Sequence, residues 1–197
     1  LEIENIQIYN VSSAENQKTG GNLVDEGINK TLQVDQRNST EYRFNFTVLN
    51  NGSQPWTLTT EDKLKHRVLN RSWSINETDE IFYTADGTDY KGGTFSSGEV
   101  EWSTGDGEVP VGETLNAQYI VNISQDSTNT FDQVFNASTS SGTTGTDRHE
   151  FETLIYGFLD VSIDSPENNS VIQNNRAFTL NGTVECLDGD CGSITAE

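Results

Sequence analysis

Asparagine two residues ahead of serine or threonine is the acceptor pattern for N-linked glycan. Eleven Asn of this sequence stand in it: Asn10, Asn29, Asn38, Asn45, Asn51, Asn70, Asn76, Asn122, Asn136, Asn168 and Asn181. Chance would place roughly four there, and N-x-S/T with Pro at the middle position is not an acceptor; none of the eleven has Pro there. A sugar must stand in solvent, and period-2 patterning sets three of these amides opposite an apolar face. Asn45 opposes Tyr42, Phe44, Phe46 and Val48; Asn122 opposes Ala117, Tyr119, Val121 and Ile123; Asn181 opposes Phe178, Leu180, Gly182 and Val184. The excess predicts an extracellular or cell-surface chain carrying covalent N-glycans.

Other chemistry is thinner. Cys186 and Cys191 enclose Leu-Asp-Gly-Asp, a spacing that brings facing strands at a hairpin tip within disulfide reach. In an oxidising compartment that pairing is expected. A two-thiol metal site would need more ligands, and His66 and His149 are remote in sequence. The turns Asp86-Gly87-Thr88-Asp89, Asp106-Gly107-Glu108 and Asp188-Gly189-Asp190 invite calcium, but none has the spaced loop that supplies six to eight oxygens. No cofactor or metal is therefore expected, with calcium as the alternative. Trp56 and Trp102 are candidates for a carbohydrate-binding platform, although Val100 and Trp102 alternate, as do Trp73 and Ile75, which favours core packing. No G-x-S-x-G elbow and no glycine-rich phosphate loop occurs, so no catalytic residue is assigned. An enzyme would need His66 or His149 to meet a carboxylate and a serine in one pocket.

The elements that must position these residues read as strands. Alternating runs at Ile3–Val11, Thr31–Val34, Tyr42–Leu49, Leu64–Leu69, Ile81–Thr84, Val100–Ser103, Leu115–Ile123 and Thr130–Asn136 are separated by turn dipeptides such as Asn51-Gly52 and Gly92-Gly93. A long run, His149–Ile163, precedes Ser170–Ile172, Ala177–Cys186 and Ser193–Ala196. Helical periodicity is confined to a short turn around Thr60–Lys65. The expected fold is all-β: an antiparallel β-sandwich, jelly-roll or immunoglobulin-like, over 1–157, then the opening strands of a partial immunoglobulin-like domain over 158–197. The stretch Ser138–Thr146 is expected as a long loop inside the first domain.

The chain has 31 acidic and 11 basic residues, a net charge of −20. No basic stripe exists, which argues against nucleic acid and anionic lipid as partners. The acidity fits an ordinary extracellular protein or, alternatively, a chain adapted to a salty milieu, where strong salt screens carboxylate repulsion. No run of 18 apolar residues is present, so no direct membrane insertion is expected of this segment. It holds no Met and starts at Leu1, so initiator and signal peptide are expected to be missing from it.

Residues 164–197 carry a resemblance. Ser165-Pro166, Ser170-Val171, Phe178, Asn181, Thr183-Val184, Cys186, Cys191-Gly192 and Ile194 to Ala196 are similar to repeat modules of archaeal cell-surface and secreted glycoproteins with immunoglobulin-like sandwich folds. The match stops where further strands should follow, and the first 157 residues carry no such signature. The resemblance implies an architectural role in a surface coat, adhesin or filament, with like subunits or other cell-surface proteins as partners. Two alternatives stay open: a filament subunit assembling by strand complementation, and a carbohydrate-binding module.

Overall fold

The computed structural model describes residues 1–35, 40–68, 80–123, 129–154, 158–167, 169–171, 174–187 and 191–193. The chain divides into two compact units, Leu1–Leu154 and Ile155–Glu197. The first is an all-β sandwich. One sheet contains β1 (Glu2–Asn10), β2 (Asn22–Glu26), β4 (Thr40–Leu49), β7 (Ile81–Ala85), β8 (Thr88–Lys91) and β12 (Thr114–Ile123), in the order β2-β1-β4-β12-β7-β8. The other contains β3 (Thr31–Asp35), β6 (Lys63–Val68), β9 (Gly93–Ser96), β10 (Glu99–Trp102), β13 (Asn129–Ser138) and β14 (Thr144–Leu154), in the order β3-β14-β13-β6-β10-β9. Every pairing in the two sheets is antiparallel except β3 against β14. A small ladder, β5 (Trp56–Thr57) with β11 (Glu108–Val109), accompanies them.

Aromatic residues on alternate positions supply the core, as a half-buried pleated surface requires. Phe44 stacks on Tyr119 with centroids 5.1 Å apart, and Phe46 on Phe135 at 4.3 Å. Trp102 sits edge-on to Phe46 and Phe135, each at 6.0 Å. Its indole N–H crosses to the opposite sheet and donates to the carbonyls of Phe82 (2.9 Å) and Gln118 (3.0 Å). A buried polar group thus finds partners, and the two layers are pinned together.

Several expectations are corrected. Ser138–Thr146 is no long loop: β13 and β14 pair from Ser138↔Thr144 inward, leaving a tight connection closed by Thr139 N–H donating to Thr143 O at 2.8 Å. The serine and threonine content that reads as linker also suits a hairpin tip, where hydroxyls satisfy backbone groups. The short turn expected around Thr60–Lys65 is present at Thr60 and Glu61, and strand β6 begins at Lys63.

The second unit contains β15 (Phe158–Ser165) and β16 (Asn181–Leu187), paired antiparallel. Ser170, Val171 and the residues from Ala177 to Leu180 lie outside strands. Phe178 is 58% and Leu180 66% exposed, so the expected inward face of Ala177–Cys186 is overturned there.

Candidate functional site

Seven of the sequon asparagines fall among the described residues, and their surroundings differ. Asn29, Asn51 and Asn181 are exposed. Asn29 sits in a turn with φ +51° and Asn51 follows the end of β4. Asn10, Asn45, Asn122 and Asn136 are half-buried. Asn45 lies in β4 between two neighbouring strands; its Nδ2 donates to Gln7 Oε1 at 3.2 Å and its Oδ1 is buried without a partner. Period-2 patterning put Asn45 on the outer face without revealing that neighbours close over it. Asn136 Oδ1 accepts from Thr146 Oγ1 at 2.9 Å. Asn38, Asn70, Asn76 and Asn168 lie outside the described residues, as does Trp73.

Cys186 and Cys191 form a disulfide with Cα atoms 5.9 Å apart. Cys186 belongs to one face of the β15–β16 ribbon. Leu159 faces Cys186, Val161 faces Val184, and Ile163 faces Gly182 across the ladder. That face carries no charge, yet Leu159 is exposed to 46%, Val161 to 67% and Ile163 to 68%. The opposite face presents Asp160, Ser162, Thr183 and Glu185. A lone two-stranded ribbon is marginal in water.

Trp56 and Trp102 do not form an open sugar platform. They are 5% and 1% exposed, and both belong to the core cluster. Sheet-face alternation placed Trp102 correctly; Trp56 is drawn in by its own short ladder, which the sequence reading missed. Among the described residues, no group of three or more His, Cys, Asp or Glu is placed to hold a metal ion.

The polar cluster that sequence reasoning missed lies inside the sandwich. His66 and His149, far apart in sequence, stand with parallel rings 5.6 Å apart. His149 Nδ1–H donates to Asp147 Oδ2 at 2.8 Å, and Asp147 Oδ1 accepts the Asn29 N–H at 3.0 Å. His66 Nδ1 shares a 2.9 Å hydrogen bond with the Tyr119 hydroxyl, which reaches across from the other sheet. Burial drives the His66 pKa well below its ordinary value, the neighbouring His149 lowers it further, and the Gln133 amide opposes the shift. Burial likewise raises the Tyr119 phenol. The signal was available: Asp147, His149, Phe151 and Thr153 share one parity along β14, and all four are buried.

The arrangement stacks and orients two buried imidazoles. A cavity of about 290 Å³ abuts His149, lined by Lys30, Thr31, Gln133, Arg148 and Glu150 among others, with no serine among its described lining residues. His149 thus meets a carboxylate without the serine nucleophile that a hydrolytic site requires.

No family model matches the chain. No curated protein matches it either. Among solved structures, AvmM, which catalyses macrocyclization in alchivemycin A biosynthesis, is 12% identical with a TM-score of 0.37, covering 64% of this chain and 85% of that one. BcpA, the major pilin subunit of Bacillus cereus, is 9% identical with a TM-score of 0.42. The match covers 80% of this chain, which spans 50% of that one. The collagen-binding domain of a Staphylococcus aureus adhesin is 11% identical with a TM-score of 0.34, covering 56% of this chain and 87% of that one. Likeness this slight assigns neither ligand nor activity.

Proposed function

We propose that the protein is a non-enzymatic structural or adhesion module at the cell exterior, part of an N-glycosylated surface coat, adhesin or filament. The observation that carries this reading is the crowding of sequons, three of which, Asn29, Asn51 and Asn181, stand in solvent in the folded chain. The Cys186–Cys191 disulfide suits an oxidising compartment. Both histidines are engaged inside the core, where they serve packing and hydrogen bonding.

Glycopeptide mass spectrometry of protein purified from its native cells tests this. Sugar is expected at Asn29, Asn51 and Asn181, while Asn45 stays bare because its amide is tied down and enclosed. A native polypeptide with no added mass at any asparagine would sink the reading.

A second reading, assembly by strand complementation, is favoured by the second unit. Its ribbon has a bare apolar face, and neither outer edge is paired among the described residues. Among the described residues, three of the four outer strands of the sandwich offer poorer edges. At β3, the Gln33 N–H is already taken by Asp25 Oδ2 at 2.7 Å, and β8 and β9 are only four residues long. Analytical ultracentrifugation distinguishes the readings: complementation predicts concentration-dependent oligomers that Val161→Asp abolishes, and a monomer at every concentration refutes it.

A further inference from the structure

At one end of the sandwich, the connection following β4, strand β5, and the β13–β14 turn line a solvent-open cavity of about 440 Å³. Its walls include Gln54, Trp56, Thr139, Ser140, Ser141 and Thr143. We propose that this cavity is a binding site for a neutral sugar unit, held by hydrogen bonds from the cavity wall and not by stacking on an open indole face.

Three observations carry the proposal. First, among the described residues the wall is rich in hydroxyls and holds no Lys or Arg, and its one charged side chain there, Asp62, is already engaged. Asp62 Oδ1 accepts the Ser140 N–H at 2.7 Å, and Oδ2 accepts the Thr59 N–H. The described side chains of the wall offer an anionic ligand no countercharge, which only the Leu1 α-amino group at its margin could supply, whereas a polyhydroxylated neutral ligand finds donors and acceptors throughout. Second, Trp56 is 5% exposed and its Nε1 is buried with no hydrogen-bond partner. A buried indole N–H ordinarily has an acceptor, and a sugar oxygen admitted by a small shift of the wall would supply one. Third, the wall is built before any ligand arrives. Asn50 Nδ2 donates to the carbonyls of Gln54 and Val109, both at 2.9 Å, while its Oδ1 accepts the Gly52 N–H at 3.1 Å. Thr139 Oγ1 and Ser141 Oγ are 2.8 Å apart. The volume lies in the range of small-ligand sites, and fixed walls reduce the ordering cost of binding.

The sugar has two sources. Gly52 and Ser53, which line the cavity, belong to the sequon of Asn51, so an attached glycan could fold back into it. A free or partner-borne glycan would enter from solvent. Only the attached source rests on the glycosylation proposed above.

Saturation-transfer NMR on bacterially produced, unglycosylated protein separates these outcomes, with glucose, galactose, methyl α-mannoside and N-acetylglucosamine as probes at millimolar concentration. Transfer to at least one sugar is expected. Trp56→Phe, which keeps a ring and removes the N–H, should weaken binding about tenfold, and Ser141→Ala in the turn should weaken it severalfold without lowering the melting temperature. Native glycosylated protein then identifies the source. If it binds the same sugar only after Asn51→Gln, the attached glycan is the occupant; equal binding with and without that change marks a site for an external glycan. Absence of transfer to all four sugars, or transfer unchanged in both wall variants, overturns the site. The Asn51 glycan itself is read separately by glycopeptide mass, so failure here leaves the surface-module reading standing.

Discussion

His66 is the residue whose environment differs most from water. It is enclosed by Phe44 and Phe46 from β4, Tyr119 from β12, Gln133 from β13 and His149 from β14, with the Asp147 carboxylate bonded to His149 Nδ1. Its folded-state pKa is depressed, so below the ordinary histidine value the unfolded chain binds a proton that the folded chain refuses. Stability therefore rises with pH across that window and falls on acidification from about pH 6.5. One such proton gives a slope of at most about 1.4 kcal/mol per pH unit. Thermal melts from pH 7.5 down to pH 5 should show this loss, and His66→Phe should flatten it; an unchanged slope in that variant would assign the acid sensitivity elsewhere. Asp147 makes a second case. Asp147→Ala orphans the buried His149 Nδ1–H, costing about 1–3 kcal/mol, and also releases the Asn29 N–H, which costs less because its residue is exposed. Asp147→Asn retains one acceptor oxygen and should lose less by chemical denaturation.

At the scale of elements, Gly93 sets how closely β9 approaches its neighbours. A Cβ there would lie 2.4 Å from Ile81 Cγ2 and 2.6 Å from the Glu101 carbonyl, which is backbone and cannot rotate away. Gly93→Ala should therefore cost about 1–3 kcal/mol in urea denaturation, the usual range for overpacking. Gly87→Ala, at a turn with open space around it, should cost only its positive-φ strain. Equal losses in the two variants would refute the close-packing account. These elements also show what the sequence made legible. Long strands with one apolar face, β1, β4, β12 and β13, were readable because burial on one side imposes period 2. Strands β2, β5, β8, β9 and β11 were not readable, because each buries at most one hydrophobic side chain and so shows no period. By contrast β3, β7 and β10, no longer than β2, set Leu32 and Val34, Ile81 and Tyr83, and Val100 and Trp102 on one face. Sheet order hid the site. His66 and His149 meet only because β6, β13 and β14 are adjacent in one sheet, an order absent from local pattern. The disulfide was legible because both cysteines lie within one short segment.

For the whole molecule, the dominant long-range term is a net charge of −20. Among the described residues, Lys30, Lys63 and Lys65 pair with Asp25, Glu99 and Glu101, but such partly exposed pairs contribute only about 0–1 kcal/mol each. With 31 carboxylates against 11 basic groups, most acidic side chains meet a field of their own sign, which destabilises the compact state. Salt shortens the reach of that field from about 10 Å at 0.1 M to about 3 Å at 1 M. It also weakens the ion pairs, but the surplus of 31 acidic over 11 basic residues leaves repulsion dominant, so the net effect of screening is stabilising. The melting temperature should therefore climb by several degrees between 0.1 and 1 M KCl. Chloride is the right anion for the test, since sulfate strengthens burial in any protein by exclusion from its surface. The amplitude separates the two accounts of the acidity. A folded chain at 0.1 M with a modest gain fits an ordinary acidic exterior protein, whereas unfolding at 0.1 M that high KCl reverses fits a surface selected for brine. A melting temperature that stays level or drops as KCl rises would mean that self-repulsion is not what limits this fold.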